Sequence, residues 1–148
     1  YRMITLDLRI DGEPGPSVSG DGLIVSTPLG STAYNISAGG PIVAPGGGAS
    51  VITPIAAHSL SFRPIVLPAA APVEIVVRSV NAMEEAGTTL LIDGQGNHRL
   101  SQGDTVRIRG GARTVRFVSD PKVSYWGTLL GKMHWASTPT GRIGEFER

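Results

Sequence analysis

The chain has 148 residues, of which 41% are hydrophobic, with a formal net charge of +1 and no cysteine. This composition is that of a folded globular domain, and it offers no excess of positive charge for binding nucleic acid. The absence of cysteine excludes disulfides, thiolate metal ligands and cysteine nucleophiles, and with three histidines a histidine-rich metal centre is not expected. Because no apolar run approaches the roughly 18 residues that span a bilayer, no membrane partner is expected. A chain without cysteine gives no signal for an oxidising compartment, so the expected compartment is the cytoplasm.

Short strands separated by turns dominate the secondary structure that the sequence predicts. Residues 3–10 alternate apolar and polar side chains with the period of two that is typical of a strand, and residues 11–15 predict a hairpin turn after it. Gly110 and Gly111 predict the turn of a second hairpin between two strands. Because the 20 glycines and 11 prolines disfavour long helices, we expect a mostly β, β-sandwich-like domain with two short helices. The other predicted strands are 22–27, 51–53, 65–67, 73–80, 90–92, 105–109 and 114–118.

Two segments have the pattern of helices. Residues 31–38 are compatible with a helix that Ser31 caps and that two glycines end. Residues 124–134 predict an amphipathic helix, because apolar side chains recur at the spacing of one helix face, and we expect that stripe to lie in the core. Residues 136–148 lack periodicity and predict a loosely ordered tail after a domain of residues 1–135. The stripe consists of Trp126, Leu129, Leu130 and Met133.

The densest block of loop-forming residues, 20–41, has the pattern of a buried strand, a tight loop of small hydroxyl residues and a helix start. Backbone amides at a helix N-terminus point outward and favour an anionic group such as phosphate. Tyr34 stands where its ring would stack on a base, and Asp21 where its carboxylate would accept from a ribose hydroxyl or an amide. On pattern alone an ordinary capped helix after a strand stays open as the alternative, since serine, threonine and glycine mark many loops.

Other chemistry-bearing residues are interpreted more simply. His58 is interpreted as a structural histidine bonded to backbone, and Arg63, before a proline, as a residue that could pair with a carboxylate across an interface. Residues 93–95 predict a hairpin turn whose Gln95 would reach a ligand. The chain lacks the Gly-Lys-Ser/Thr of a P-loop, a dinucleotide glycine fingerprint and a Gly-x-Ser-x-Gly elbow, so these catalytic classes have no support.

The sequence of residues 20–41 resembles the signature of the NAD kinase family. In that family Asp-Gly leads through Ser-Thr-Pro-Thr-Gly-Ser-Thr-Ala-Tyr to Ser-Ala-Gly-Gly-Pro. Residues 54–64 are similar to the family's Pro-x-x-x-His-Ser-Leu-x-x-Arg-Pro segment, and residues 93–95 to its Asp-Gly-Gln turn. The family's Gly-Gly-Asp-Gly motif and Asn-Glu pair, which belong to its N-terminal α/β domain, do not occur here. The resemblance therefore implies the C-terminal, β-rich domain.

The resemblance also implies which residues bind NAD. Two departures from the family pattern remove polar groups from the site, since Leu29 replaces a usual hydroxyl residue and Ser19 replaces a usual basic one. No catalytic residue and no metal ligand is expected within this chain. The residues that match the family's dinucleotide-binding positions are Asp21, Thr32, Ala33, Tyr34, Asn35, Ile36, Ser37, Ala56, Gln95 and Arg2.

The reaction that the resemblance implies is phosphorylation of the adenosine ribose 2′-hydroxyl of NAD by ATP, with a divalent metal such as Mg²⁺ bound with the ATP. This chain alone is expected to be inactive, because the family's catalytic groups belong to the N-terminal domain. The family also implies a homo-oligomer. Two alternatives stay open: a non-enzymatic β-sandwich that binds another small ligand, and a domain of a related lipid kinase.

Overall fold

The computed structural model describes residues 3–81, 87–118 and 120–134, so Arg2 and the predicted tail 136–148 lie outside the described residues. The chain divides into two compact units, residues 1–112 and 113–148. In the first unit the elements are β1 (Ile4–Ile10), β2 (Glu13–Gly20), β3 (Gly22–Ser26), a 3₁₀ turn (Leu29–Thr32), α1 (Tyr34–Ser37), β4 (Ala49–Ile55), β5 (Ile65–Pro68), β6 (Val73–Ser79), β7 (Thr88–Ile92), β8 (Gly96–Leu100) and β9 (Thr105–Ile108). In the second unit the helix is α2 (Tyr125–Met133).

Antiparallel pairing builds a four-stranded sheet in the order β2–β1–β6–β9. The predicted first hairpin is confirmed, because Asp11 and Gly12 turn the chain between β1 and β2 with φ of 53° and 81°. Glycine and aspartate tolerate this left-handed backbone better than most residues. Pro14 and Pro16 lie in β2, which is an edge strand of the sheet, where a missing backbone donor costs little.

A three-stranded sheet, β3–β4–β5, shares one hydrophobic core with the four-stranded sheet. On β4, Ile52 points into this core, and its neighbours Val51 and Thr53 are fully buried on the opposite face because side chains alternate along a strand. The predicted β-sandwich-like, mostly β fold is thereby confirmed. The buried core consists of Leu6, Leu8, Val18, Ile52, Val73, Ile75 and Val77, with Leu23, Val25 and Leu67 packed against it.

The predicted second hairpin is wrong. Residues 113–118 have no regular structure, and β9 pairs with β6 instead. The favoured two-residue hairpin turns need positive φ at the first central residue or at both, and neither Gly110 nor Gly111 adopts it. A Cβ on Gly110 would lie 2.5 Å from the carbonyl oxygen of Ala69, so this glycine serves a close backbone contact rather than a turn.

Helix α2 forms where the apolar periodicity predicted it. Ser124 caps its start, because the Ser124 hydroxyl accepts from the backbone N–H of Gly127 at 2.9 Å. The expectation that its apolar stripe lies in the core is wrong for three of the four residues, since Leu129 is buried and the others are exposed. Periodicity shows which helix face is apolar but not whether another element covers it. The exposed members are Trp126, Leu130 and Met133.

The polar face of the four-stranded sheet gives a pH-dependent term in stability. A hydrogen bond from Ser17 and one from Arg78, whose Nε lies 2.5 Å from Oδ2, hold the pKa of Asp7 below its usual value. A carboxylate with a lowered folded-state pKa stabilises the fold above its unfolded pKa, and this contribution is lost as the pH falls through the folded value.

We therefore expect Asp7→Asn to flatten the acid limb of the stability profile. In urea unfolding from pH 7 downward, the wild type should lose more unfolding free energy below about pH 4 than the variant does. The difference should be small because the pair is partly exposed. An equal loss of unfolding free energy at low pH in the two proteins would show that Asp7 does not cause this pH dependence.

Candidate functional site

The connection after β3 is a 3₁₀ turn followed by the four-residue helix α1. The predicted helix over 31–38 is thus shorter, and Ser31 does not cap it. The Ser31 side chain is fully buried; its hydroxyl donates to the Pro28 carbonyl at 2.7 Å and accepts from the Val43 N–H at 3.0 Å. A helix of four residues sums too few peptide dipoles to attract a phosphate, so the expectation of a helix-terminal anion site is not supported.

The side chain of Asn35 is also buried, with 1% of its surface exposed. Its amide nitrogen donates to the carbonyls of Ser31 at 2.9 Å and Pro41 at 3.0 Å. Its amide oxygen accepts from the Thr53 hydroxyl on β4 at 2.6 Å. This residue therefore fixes α1 to the outer face of the three-stranded sheet.

The remaining predicted residues of the same segment lie at or near the surface. The ring of Tyr34 is 61% exposed, and Ala33 and Ser37 are exposed as well. Thr32 and Ile36 are half-buried. The segment therefore presents an aromatic ring, two hydroxyls and small apolar side chains to an incoming molecule.

At the other end of β3, backbone hydrogen bonds hold the segment with Asp21 against the segment with Ala56. The N–H of Asp21 donates to the Ile55 carbonyl at 3.0 Å, and the N–H of His58 donates to the Ser19 carbonyl at 2.9 Å. Ala56 has a φ of 45°, an uncommon left-handed conformation for a residue with a Cβ. Such strain is often retained at functional sites, which supports the assignment of this corner to the site.

Gly20 permits this close approach. A Cβ at this position would lie 2.8 Å from the Ile55 carbonyl oxygen and 3.0 Å from that of Ala56. Since both obstacles are backbone atoms, only glycine lets β2 pass so near the end of β4. The Gly-Asp-Gly run at 20–22 is the sequence signal of this close approach, which becomes visible only in the fold.

Strand β4 links the two halves of the predicted site. Thr53 holds Asn35, and Ile55, two residues further along the same strand, holds the backbone of Asp21. Gln95 lies elsewhere, on the exposed tip of the β7–β8 hairpin, where Asp93 and its neighbouring glycine have positive φ as the predicted turn requires. Arg2 is outside the described residues.

The grooves on the four-stranded sheet contain none of the predicted site residues. One, of about 310 Å³, lies between Asp7, Glu74 and Arg78. The other, of about 390 Å³, lies between Arg9, Glu74 and Arg107. Ion pairs cross both, so these grooves have the character of a solvated sheet face rather than of an apolar ligand pocket.

The structure places the two residues that were interpreted more simply. His58 is exposed, and its backbone N–H donates to the Ser19 carbonyl, so the interpretation as a structural histidine is not supported for its side chain. Arg63 donates to the carbonyls of Leu60 at 2.6 Å and Phe62 at 2.8 Å, and its pairing with a carboxylate across an interface stays a prediction. Within residues 3–81, 87–118 and 120–134, no three His, Asp or Glu side chains are grouped as metal ligands, and no helix has the length and apolarity to span a membrane.

Known proteins share the fold of this chain. Residues 1–119 match the family described as the ATP-NAD kinase C-terminal domain. The chain belongs to this family. An NAD kinase of Gemmatimonas aurantiaca is 41% identical over 144 residues, which are 97% of this chain and 48% of the relative. An NAD kinase of Aquifex aeolicus is 44% identical over 134 residues, 90% of this chain and 47% of that protein.

Solved structures agree with the family assignment. A yeast NADH kinase complexed with NADH superposes with a TM-score of 0.81 and 30% identity, covering 93% of this chain and 41% of the kinase. An NAD kinase from Archaeoglobus fulgidus in complex with ATP superposes with a TM-score of 0.64 and 30% identity, covering 76% of this chain and 41% of that kinase. The resemblance that the motifs indicated is thus confirmed, and the chain spans about half the length of the NAD kinases that it matches.

Proposed function

We propose that this chain is the dinucleotide-binding domain of an NAD kinase, which transfers the terminal phosphate of ATP to the adenosine ribose 2′-hydroxyl of NAD. The observation that carries the proposal is the TM-score of 0.81, over 93% of the chain, with a kinase whose structure contains NADH. The relatives named NAD kinase support it over the lipid kinase and over a non-enzymatic module.

The chemistry of the exposed residues suits a dinucleotide. The carboxylate of Asp21 would accept from a hydroxyl or an amide of NAD, and the ring of Tyr34 would stack on a base. Ala33 and Ala56 are exposed and small, so the ligand can approach the backbone there. Thr32 and Ser37 provide hydroxyls, and we retain Ile36, Gln95 and Arg2 as proposed ligand contacts. Asn35 is retained as a member of the site whose side-chain hydrogen bonds are made within the protein.

The share of this domain in catalysis would be positioning. Phosphoryl transfer depends mostly on alignment of the acceptor and on stabilisation of charge, so holding the ribose with its 2′-hydroxyl toward ATP is itself catalytic. Among the described residues, no three ligating side chains are grouped. Because the family's catalytic groups belong to its N-terminal domain, we propose that the ATP phosphates, their divalent metal and the general base are held there.

Two further features of the enzyme belong to the proposal. Exposed sheet edges, such as β5 with its half-exposed Ile65 and Val66, favour assembly into a homo-oligomer. A chain without cysteine carries no signal for an oxidising compartment, so the cytoplasm is the default location in this proposal.

The proposal is tested on the protein expressed from its complete reading frame. We expect ATP-dependent formation of NADP, with the Michaelis constant for NAD raised about tenfold by Tyr34→Ala, because one base–aromatic stack is lost. The Michaelis constant for ATP should stay unchanged. Tyr34→Phe keeps the ring and serves as the matched control. A wild-type protein that forms no NADP with ATP, in the presence of Mg²⁺, would refute the proposed function.

A further inference from the structure

We propose that Asn35 is a positioning residue rather than a ligand contact, and that with Ser31 it forms a clamp that holds residues 32–34 in the conformation that binds NAD. The clamp is defined as the side chains of Ser31, Asn35 and Thr53 with the hydrogen bonds between them and the backbone. This inference rests on the proposed function for its ligand, but the clamp itself is a property of the chain.

The hydrogen-bonding capacity of Asn35 is already used within the protein. A side-chain amide has two N–H donors, and those of Asn35 go to the carbonyls of Ser31 and Pro41 at 2.9 and 3.0 Å. The amide oxygen accepts from Thr53 at 2.6 Å. With 1% of its surface exposed, this side chain has no donor left for a nucleotide.

The two buried side chains flank the exposed ones. Ser31 is fully buried and bonds to Pro28 and Val43, so it anchors the segment on one side. Asn35, four residues later, anchors it on the other side. Between the anchors, the ring of Tyr34 is 61% exposed. The buried side chains on both sides fix the backbone at Tyr34, while the Tyr34 ring faces outward.

Thr53 couples the clamp to the other half of the site. Its strand continues to Ile55, whose carbonyl accepts from the N–H of Asp21. The Thr53–Asn35 bond thus sets the position of Tyr34 relative to Asp21. If the Thr53–Asn35 bond is lost, a smaller fraction of the protein has the conformation that binds NAD. The apparent affinity for NAD then falls in proportion to that fraction.

The experiment compares three variants of the protein expressed from its complete reading frame. Thr53→Val removes the hydroxyl while keeping the shape, and Thr53→Ser keeps the hydroxyl. Thr88→Val is the matched control, because Thr88 is a buried threonine in the separate β7–β8 sheet whose hydroxyl accepts from the Asn81 N–H at 2.9 Å. The measurements are the Michaelis constants for NAD and ATP, kcat, and amide hydrogen exchange of the protein without ligand.

We expect Thr53→Val to raise the Michaelis constant for NAD about tenfold, to leave that for ATP unchanged, and to speed exchange over residues 31–38 about tenfold. Thr53→Ser should restore both readouts, and Thr88→Val should change neither. An unchanged Michaelis constant for NAD in Thr53→Val, or an equal rise of that constant in Thr88→Val, would overturn the inference. Formation of NADP by the wild type would still support the proposed function in that case.

A second variant covers poor folding of Thr53→Val. Ser31→Ala removes the bond to Val43 at the opposite anchor and is expected to raise the Michaelis constant for NAD about threefold, with that for ATP unchanged. Ser31→Ala with wild-type constants and wild-type exchange over residues 31–38 would overturn the clamp. The exchange readout needs no activity, so it tests the clamp even if the reaction differs from the one proposed.

Discussion

Gly40→Ala is expected to lower the free energy of unfolding by about 3 kcal/mol, because a Cβ would be driven into a side chain that cannot move. A Cβ on Gly40 would lie 2.5 Å from both Cγ and Nδ2 of Asn35, with Oδ1 closer still. The Asn35 side chain is held by three hydrogen bonds and has 1% of its surface exposed. Making room would break bonds whose partners are themselves buried, and buried polar groups without partners are costly.

The measurement is urea unfolding of Gly40→Ala beside Gly48→Ala. Gly48 is the matched control, since its Cβ would meet nothing within 4 Å and its φ is not positive, so the same substitution should change stability by less than about 0.5 kcal/mol. Equal unfolding free energies for the two variants would show that the packing around Asn35 is not as tight as the structure has it.

Asp21→Ala is expected to weaken binding of NAD about thirtyfold on the basis of the proposed function. A hydrogen bond to a charged group is worth about 1.5–3 kcal/mol, which corresponds to a factor of roughly 10 to 150 in affinity. The side chain of Asp21 is exposed, and the alanine variant keeps the backbone N–H that donates to the Ile55 carbonyl.

Calorimetric titration with NAD measures this effect. Asp21→Asn keeps the size and one acceptor oxygen, so its loss of affinity should be smaller than that of alanine. Glu13→Ala removes a carboxylate from the far end of β2 and controls for the change in net charge. Equal affinities for Asp21→Ala and the wild type would remove Asp21 from the site.

Turns and the helix α2 could be predicted from the sequence, because each depends on residues that are close together along the chain. The hairpin at Asp11 and Gly12 and the turn at Asp93 carry residues that tolerate positive φ. Helix α2 carries both a serine cap and an apolar period. Each of these signals acts within a few residues, so the sequence alone was enough to place them.

The predictions that were wrong concern residues whose roles depend on contacts with parts of the chain that are distant in sequence. Gly110 and Gly111 have the composition of a turn, but Gly110 serves a contact with Ala69 that only the fold reveals. Ser31 has the composition of a cap, but its hydroxyl is buried against Val43. The burial of Asn35 against Thr53, eighteen residues away, likewise left no local signal.

The sequence motifs predicted which residues belong to the candidate site, but not how the fold arranges them in space. The motifs indicated Asp21 and Ala56 separately, and the structure joins them through the backbone of Ile55. The left-handed φ of Ala56 is set by that junction, and alanine gives no sequence signal for it. The tip of the β7–β8 hairpin, with Gln95, belongs to a separate sheet, so its part in the site remains a prediction.

The most direct measurement is amide hydrogen exchange of the protein expressed from its complete reading frame, with and without saturating NAD. The account predicts that NAD slows exchange in peptides covering residues 20–22, 31–38 and 55–58, the segments that β4 brings together. Slowed exchange confined to the grooves beside Asp7 and Glu74, or no change along these 148 residues while NADP is formed, would contradict it.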